Sequence, residues 1–287
     1  MRLGVVGMLP ADFRDIDANH LEAIAALRLT GAGFHSPGEL LGKVKTAECD
    51  QVAAEFASVG IDLVQFGIGF GECLFDPDEE VRERVLDKIR RGLEVGRDLG
   101  AHVVLIRTGS LNAAGSYSPC RDNHTPESRQ RLIQSLREVA DKAESVDTTV
   151  VVETHLLTIM DSPETNAQVL EAVGSKRMKV VMDYVNHFQT LHQVYDSSPR
   201  LHHIFDCMGP ISTVGHCKDL MPSDGLVLHL DEAIPGDGEL DIAVALKRWQ
   251  EFYPDGYMLL EHLPNEMYPR ASANTHDIAA AADIDIH

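Results

Sequence analysis

Eight times along this chain, a short strand-like run, most of them rich in Val, Ile and Leu and the one at 31–35 ("GAGFH") weaker, gives way to a longer segment whose apolar residues recur at helical spacing. The runs lie at 2–8, 31–35, 61–69, 101–107, 148–153, 178–183, 212–216 and 256–261. Between them the spacing predicts helices at 17–28, 46–60, 78–99, 125–145, 162–174 and 198–209; another begins near Asp241, and the alanine-rich tail from about 265 supplies the last. Asp76-Pro77-Asp78 and Pro126 mark helix starts, and Gly60, Gly100 and Gly174 mark stops. A strand that returns through a helix comes back in the same direction, so this alternation specifies parallel pairing. Eight such units in 287 residues match an α/β fold, the (β/α)8 TIM barrel, as a single domain over residues 1–287. An open doubly wound sheet shares this grammar, but "GVVGMLP" lacks the GxGxxG turn that sheet would carry after its first strand. "GIGFGE" (67–72) also has the wrong glycine spacing and is expected to be a flexible loop at the barrel mouth. Residues 225–241 read as a hairpin-like excursion with a Gly-rich turn.

Charge and cysteine content narrow the class of partner. A net charge of −20 with a pI near 5.0 repels polyanions, so neither nucleic acid nor an acidic membrane is expected. Cys49, Cys73, Cys120, Cys207 and Cys217 form no CxxC pair and are odd in number, which fits reduced thiols in a cytoplasmic protein. "MRLGVVGMLPADF" does not read as a signal peptide, and no apolar stretch approaches the roughly 20 residues of a membrane span.

Four apolar runs end on residue types that bind metal. "VVVETH" leads to Glu153, "KVVMDY" to Asp183, "STVGHCKD" to His216 and "YMLLEH" to Glu261. In a parallel barrel, functional groups gather where strands meet the loops that follow them. Side chains alternate, so Glu153 shares a face with Val151, Asp183 with Val181 and Glu261 with Leu259, while Lys218 shares one with His216 and Cys217 points away. The four strand ends can therefore converge. Three carboxylates and one imidazole make a mixed oxygen and nitrogen set for one divalent ion, with Mn²⁺ or Mg²⁺ favoured and Co²⁺ or Zn²⁺ compatible. A salt-bridged structural network is the plainer alternative.

"VVVETH", "VVMDYVN", "VGHCKD", "PGDGELD" and "LLEH" resemble the xylose-isomerase-like TIM barrels, also called the sugar phosphate isomerase/epimerase or endonuclease IV-like superfamily. The resemblance spans most of the chain and is sharpest from 148 to 263. It implies one metal held by Glu153, Asp183, His216 and Glu261, and an enzyme that is an isomerase or epimerase of a small non-phosphorylated sugar or polyhydroxy carbonyl compound, working through a metal-stabilised enediolate. In such epimerases the two glutamates, Glu153 and Glu261 here, carry protons. It also implies a homo-oligomer, a dimer or tetramer. The E-x-H at His155 is similar to lyase-type relatives, where such a histidine acts as acid or base; dehydratase, decarboxylase or C-glycoside deglycosidase chemistry is thus the alternative. Arg107, Asn186, His187, Lys218 and His35 are candidate substrate contacts, each with a structural role as the competing reading. His202 and His203 are expected at the surface. Ketulose 3-epimerases carry a glutamate and an arginine where this chain has Ile159 and Pro222, so their substrate clamp is absent or rebuilt. Endonuclease-type DNA repair is opposed by the charge.

Overall fold

Each of the eight runs is a strand in the computed structural model, which describes residues 1–287. They are β1 (Arg2–Val6), β2 (Gly31–Pro37), β3 (Asp62–Gly69), β4 (Val103–Arg107), β5 (Val150–Glu153), β6 (Met178–Met182) and β7 (Ser212–Cys217), followed after the hairpin β8 (Asp219–Ser223) and β9 (His229–Ala233) by β10 (Tyr257–Leu260). The eight pair in parallel in chain order, and β10 closes the ring on β1, with Arg2 opposite Tyr257 and Val5 opposite Leu260. The antiparallel hairpin stands outside the ring. Around the barrel run α1 (Ala18–Ala25), α2 (Gly38–Leu41), α3 (Thr46–Val59), α4 (Glu79–Leu99), α5 (Pro126–Ser145), α6 (Pro163–Val173), α7 (Leu191–Tyr195), α8 (Ser197–Met208), α9 (Ile242–Phe252) and α10 (Tyr268–Ala281). The expected (β/α)8 barrel is the observed one.

Local chemistry explains the boundaries. Asp78, Thr125 and Ser162 accept hydrogen bonds from first-turn amides of α4, α5 and α6. Gly60, Gly100 and Gly174 close α3, α4 and α6 in the left-handed conformation. Several spans differ from expectation. β1 stops at Val6 because Gly7 takes a φ of 115°, and α1 ends before Arg28, whose φ is 62°. β3 runs through Gly69, so the first half of "GIGFGE" is strand rather than loop. The hairpin begins at Asp219, not 225, and its turn is not the Gly-rich segment. The short helices α2 and α7 carry too few residues to show a periodicity.

Two apolar cores result. Nine residues fill the barrel interior, among them Val151, Val181, Val214 and Leu259. A larger cluster of 67 buried residues packs the outer strand faces, Cys217 included, against the helices. In β3 the register slips: Ala32 pairs with Leu63 but Gly33 pairs with Gln65. Val64 is therefore an extra residue, and after it Gln65 also turns inward.

The Gly-rich segment serves the hairpin in another way. The buried Asp219 carboxylate accepts from the amides of Leu220, Gly236, Gly238 and Leu240 at 2.8–3.0 Å. A Cβ at Gly238 would lie 2.5 Å from Asp219 Oδ1, so only glycine lets that loop close on the carboxylate. Four amides lose their acceptor if it is removed. Asp219→Ala is expected to lower unfolding free energy by about 3 kcal/mol, since hydrogen bonds to a charged group are worth about 1.5–3 kcal/mol and the amides would be left buried. Urea titration measures this, and a loss below about 0.5 kcal/mol would contradict it.

Candidate functional site

The interior phase places the four strand-end groups. Each stands two residues beyond an interior side chain: Glu153 beyond Val151, Asp183 beyond Val181, His216 beyond Val214 and Glu261 beyond Leu259. All four are buried, and one ligand atom from each lies within 4.8 Å of all the others. His216 Nδ1 is 2.7 Å from Glu261 Oε1 and 3.4 Å from Asp183 Oδ2. On its far side, His216 Nε2 meets Gln65 Oε1 at 3.0 Å. An amide oxygen can only accept, so Gln65 holds the proton on Nε2 and leaves Nδ1 facing the carboxylates.

Lys218 completes the cluster from the same face of the chain as His216. Its Nζ lies 2.7 Å from Asp183 Oδ2, 2.9 Å from Glu261 Oε1 and 3.0 Å from Glu232 Oε1. Burial favours the neutral carboxyl of Asp183, yet the Lys218 charge and the His216 hydrogen bond hold its pKa below the usual value. Glu261 is likewise lowered, with His216 and Lys218 overcoming burial. Burial works against a charged His216, but Glu261 and Asp183 raise its pKa to about 10. The cluster is a strong sink for positive charge.

The donor set fits a divalent cation. Four carboxylates, those of Glu153, Asp183, Glu232 and Glu261, face one ammonium, which leaves a negative surplus. Asp183 Oδ1 is buried with no hydrogen-bond partner. A buried carboxylate oxygen without a partner is costly, and a metal ion is one way to satisfy it.

The remaining candidates divide. Arg107 ends β4 directly beside Glu153 in register. His35 reaches over Gly67 at the rim, where a Cβ on Gly67 would overlap its ring. The surrounding walls lower the pKa of His35, while Glu153 and Glu261 oppose that shift. His155 lies past the end of β5; its Nδ1 accepts from the Leu157 amide at 3.2 Å, and burial lowers its pKa. Asn186 donates to the Thr154 carbonyl at 3.2 Å and borders the same side cavity as His155. His187 is not brought to the mouth. The 3-10 turn Tyr184–His187 winds its ring into a fully buried pocket, with Nε2 3.2 Å from Thr154 Oγ1.

Four residues at the site were not among the candidates read from the sequence. Gln65 is turned inward by the slip in β3. Tyr117, from the loop after β4, donates its phenol proton to Glu153 Oε2. Its ring is tilted against that of His155, with centroids 5.5 Å apart, and lies beneath the Arg107 guanidinium at 5.5 Å. Glu232 arrives on β9 and His262 follows Glu261; His262 Nδ1 lies 2.9 Å from Glu232 Oε2. Only the "LLEH" string hinted at His262.

A family model described as "Xylose isomerase-like TIM barrel" matches residues 21–280. The chain belongs to this family. Among solved members of like fold is D-psicose 3-epimerase with D-tagatose from Clostridium cellulolyticum H10, at 14% identity and a TM-score of 0.72, covering 99% of this chain and 100% of that one. A xylose isomerase-like TIM barrel protein from Mycobacterium smegmatis, in complex with magnesium, gives 14% identity and 0.71, covering 98% and 96%. The probable 3-DHS dehydratase AsbF from Bacillus anthracis gives 12% and 0.70, covering 97% and 99%. No curated protein matches by sequence. No helix of this xylose isomerase-like barrel is long and apolar enough to cross a membrane.

His187 provides a test of its buried setting. Burial lowers its pKa from 6.5 to about 4. The unfolded chain therefore binds the proton more tightly, and this part of the stability is whole above pH 6.5 and lost as pH falls towards 4. The shift corresponds to about 3 kcal/mol. His187→Gln should show about that much less change in urea-derived unfolding free energy between pH 7 and pH 4 than the parent protein. Identical pH slopes would remove His187 from this role.

Proposed function

We propose that this protein is a divalent-metal-dependent isomerase or epimerase of a small non-phosphorylated sugar or polyhydroxy carbonyl compound. The convergence of Glu153, Asp183, His216 and Glu261 within 4.8 Å supports this reading above all else. These four residues would hold the cation, Mn²⁺ or Mg²⁺ by the hardness of three carboxylates. When bound, a divalent ion polarises a carbonyl and lowers the cost of removing a neighbouring C–H proton. The epimerase activity of a barrel of like fold and the magnesium of another point the same way.

The residues of the chain divide the work. Glu153 and Glu261 stand on β5 and β10, separated around the ring by β6 and β7, so they approach a bound molecule from different sides. Glu261 is stabilised as an anion by His216 and Lys218, which makes it the weaker base. Glu153 receives a hydrogen bond from the neutral Tyr117 phenol. Glu153 therefore removes the proton and, once protonated, returns it to the adjacent carbon in an isomerisation; in an epimerisation Glu261 returns a proton from the other side after taking one up from water. Lys218 keeps Asp183 and Glu261 ionised, and Arg107 and His35 orient hydroxyl oxygens at the rim. Arg107 is not joined by a basic cluster, so a phosphate is not called for.

One observation favours the lyase reading as a second possibility. Tyr117 and His155 both stand beside Glu153, where an O–H or N–H group can protonate a departing oxygen. A barrel of like fold is a probable dehydratase. The two readings separate by mass, since isomerisation conserves it.

A panel of aldoses and ketoses incubated with Mn²⁺- or Mg²⁺-loaded protein in D₂O should reveal deuterium entering at least one sugar. EDTA should abolish it, and Glu153→Gln should slow it by about 10²–10⁴-fold, the usual weight of a general base. A metal-loaded protein that exchanges no sugar proton would overturn the isomerase reading; loss of water, CO₂ or a larger fragment would establish the lyase one.

A further inference from the structure

Beside the donor cluster lies a cavity of about 450 Å³. Leu156 and Leu157 line it from the loop after β5, Val185 and Phe188 from the turn after β6, and Leu228 and Leu230 from the hairpin. Val185 and Phe188 form a buried floor, while Leu157 and Leu228 are 37% and 49% exposed at the rim. Five of the twelve wall residues are polar; His155, Asn186 and Glu232 lead towards the proposed reacting centre, and Gln189 and His229 complete the set. Glu232 touches Lys218, which touches Asp183 and Glu261. His155 follows Glu153 by two residues, and Asn186 follows Asp183 by three. The cavity thus lies next to the mouth, with His155, Asn186 and Glu232 on the side of the cluster and most of the remaining wall apolar.

The leucine-walled part of this cavity is poorly suited to a free sugar. A monosaccharide carries hydroxyls on nearly every carbon, and those pressed against leucine would lose their hydrogen bonds to water without replacement. The volume lies within the roughly 300–1,000 Å³ of small-molecule sites, and aliphatic walls with a few placed polar groups are their usual lining. We propose that the cavity is a subsite for an apolar, ring-sized substituent. The substrate is then a polyhydroxy carbonyl compound bearing a hydrophobic group, with its polar part at the Glu153–Asp183–His216–Glu261 cluster. This inference rests on the reading of that cluster as the reacting centre and adds the other half of the ligand. The competing occupant is a second copy of this chain, because Leu226 and Val227 at the hairpin tip are exposed close by.

The probe is neutral N-phenyl-1-naphthylamine, which fluoresces when it leaves water. Titrated into the full chain, with Mg²⁺ and again after EDTA, it should bind saturably and equally in both. In a panel of phenyl glycosides and their methyl counterparts, at least one phenyl member should displace it with an affinity about tenfold or more above its methyl partner. Leu157→Asp with Leu228→Asp should weaken the probe by about tenfold or more while circular dichroism stays that of the parent. Absence of saturable binding, insensitivity to the double variant, or displacement by no phenyl glycoside overturns the proposal. Sedimentation velocity at the same concentrations reads the remaining alternative. If the probe binds only after Leu228→Asp dissociates an oligomer, the cavity is an interface and the proposal falls. The probe titration needs no metal and the deuterium exchange needs no apolar group, so either reading can fail alone.

Discussion

Carboxylates gathered inside a protein repel one another, and the mouth of this barrel is built around that repulsion. Two unit charges separated by about 4 Å interact by about 4 kcal/mol at an effective dielectric of about 20. Glu153, Asp183 and Glu261 accept that penalty three times over within 4.8 Å, and Glu232 adds a fourth charge beside them. Lys218 offsets much of it by touching three of the four. His216, its orientation set by Gln65, supplies the other positive or donor contact. A fold seeking only stability would replace such a network with apolar side chains at little cost. The network is kept here with Asp183 Oδ1 still unpartnered, and its four ligand atoms lie close enough together to hold a metal ion.

The strand ends carry this cluster because a strand offers a rigid, alternating ladder. Below each charged residue, a Val or Leu fills the barrel interior and fixes the height at which the next inward side chain emerges. The loops do different work. Tyr117 from the loop after β4 reaches Glu153, and Glu232 from the hairpin reaches Lys218. The hairpin is held by Asp219, which sits one residue beyond Lys218 and points the other way. A single four-residue stretch, His216 to Asp219, thus contributes to the cluster on one face and anchors its cover on the other.

The same division explains what could be read from residues alone. Glu153, Asp183, His216, Lys218 and Glu261 were legible because each follows an unbroken period-2 pattern to the end of a strand. Gln65 was not, since one extra residue in β3 reverses the phase and nothing in "DLVQFG" announces it. His187 misleads for the complementary reason: it lies four residues beyond Asp183, in phase for a strand, but the backbone has already wound into a 3-10 turn. Tyr117 and Glu232 come from segments without periodicity, and their arrival at the mouth depends on long-range packing that no local pattern encodes.

Specificity then belongs to the loops. Ile159 and Pro222 occupy the positions where ketulose 3-epimerases have a glutamate and an arginine. Here Ile159 is packed into the outer core and Pro222 lies in β8 opposite Leu230. Neither can grip a hydroxyl. The strand-end cluster is kept while this pair of polar contacts is given over to packing, and the space beside the mouth is walled with Leu156, Leu157, Leu228 and Leu230 instead. On the function proposed above, exchanging a polar clamp for an apolar wall would change what the barrel recognises while leaving the strand-end cluster as it is.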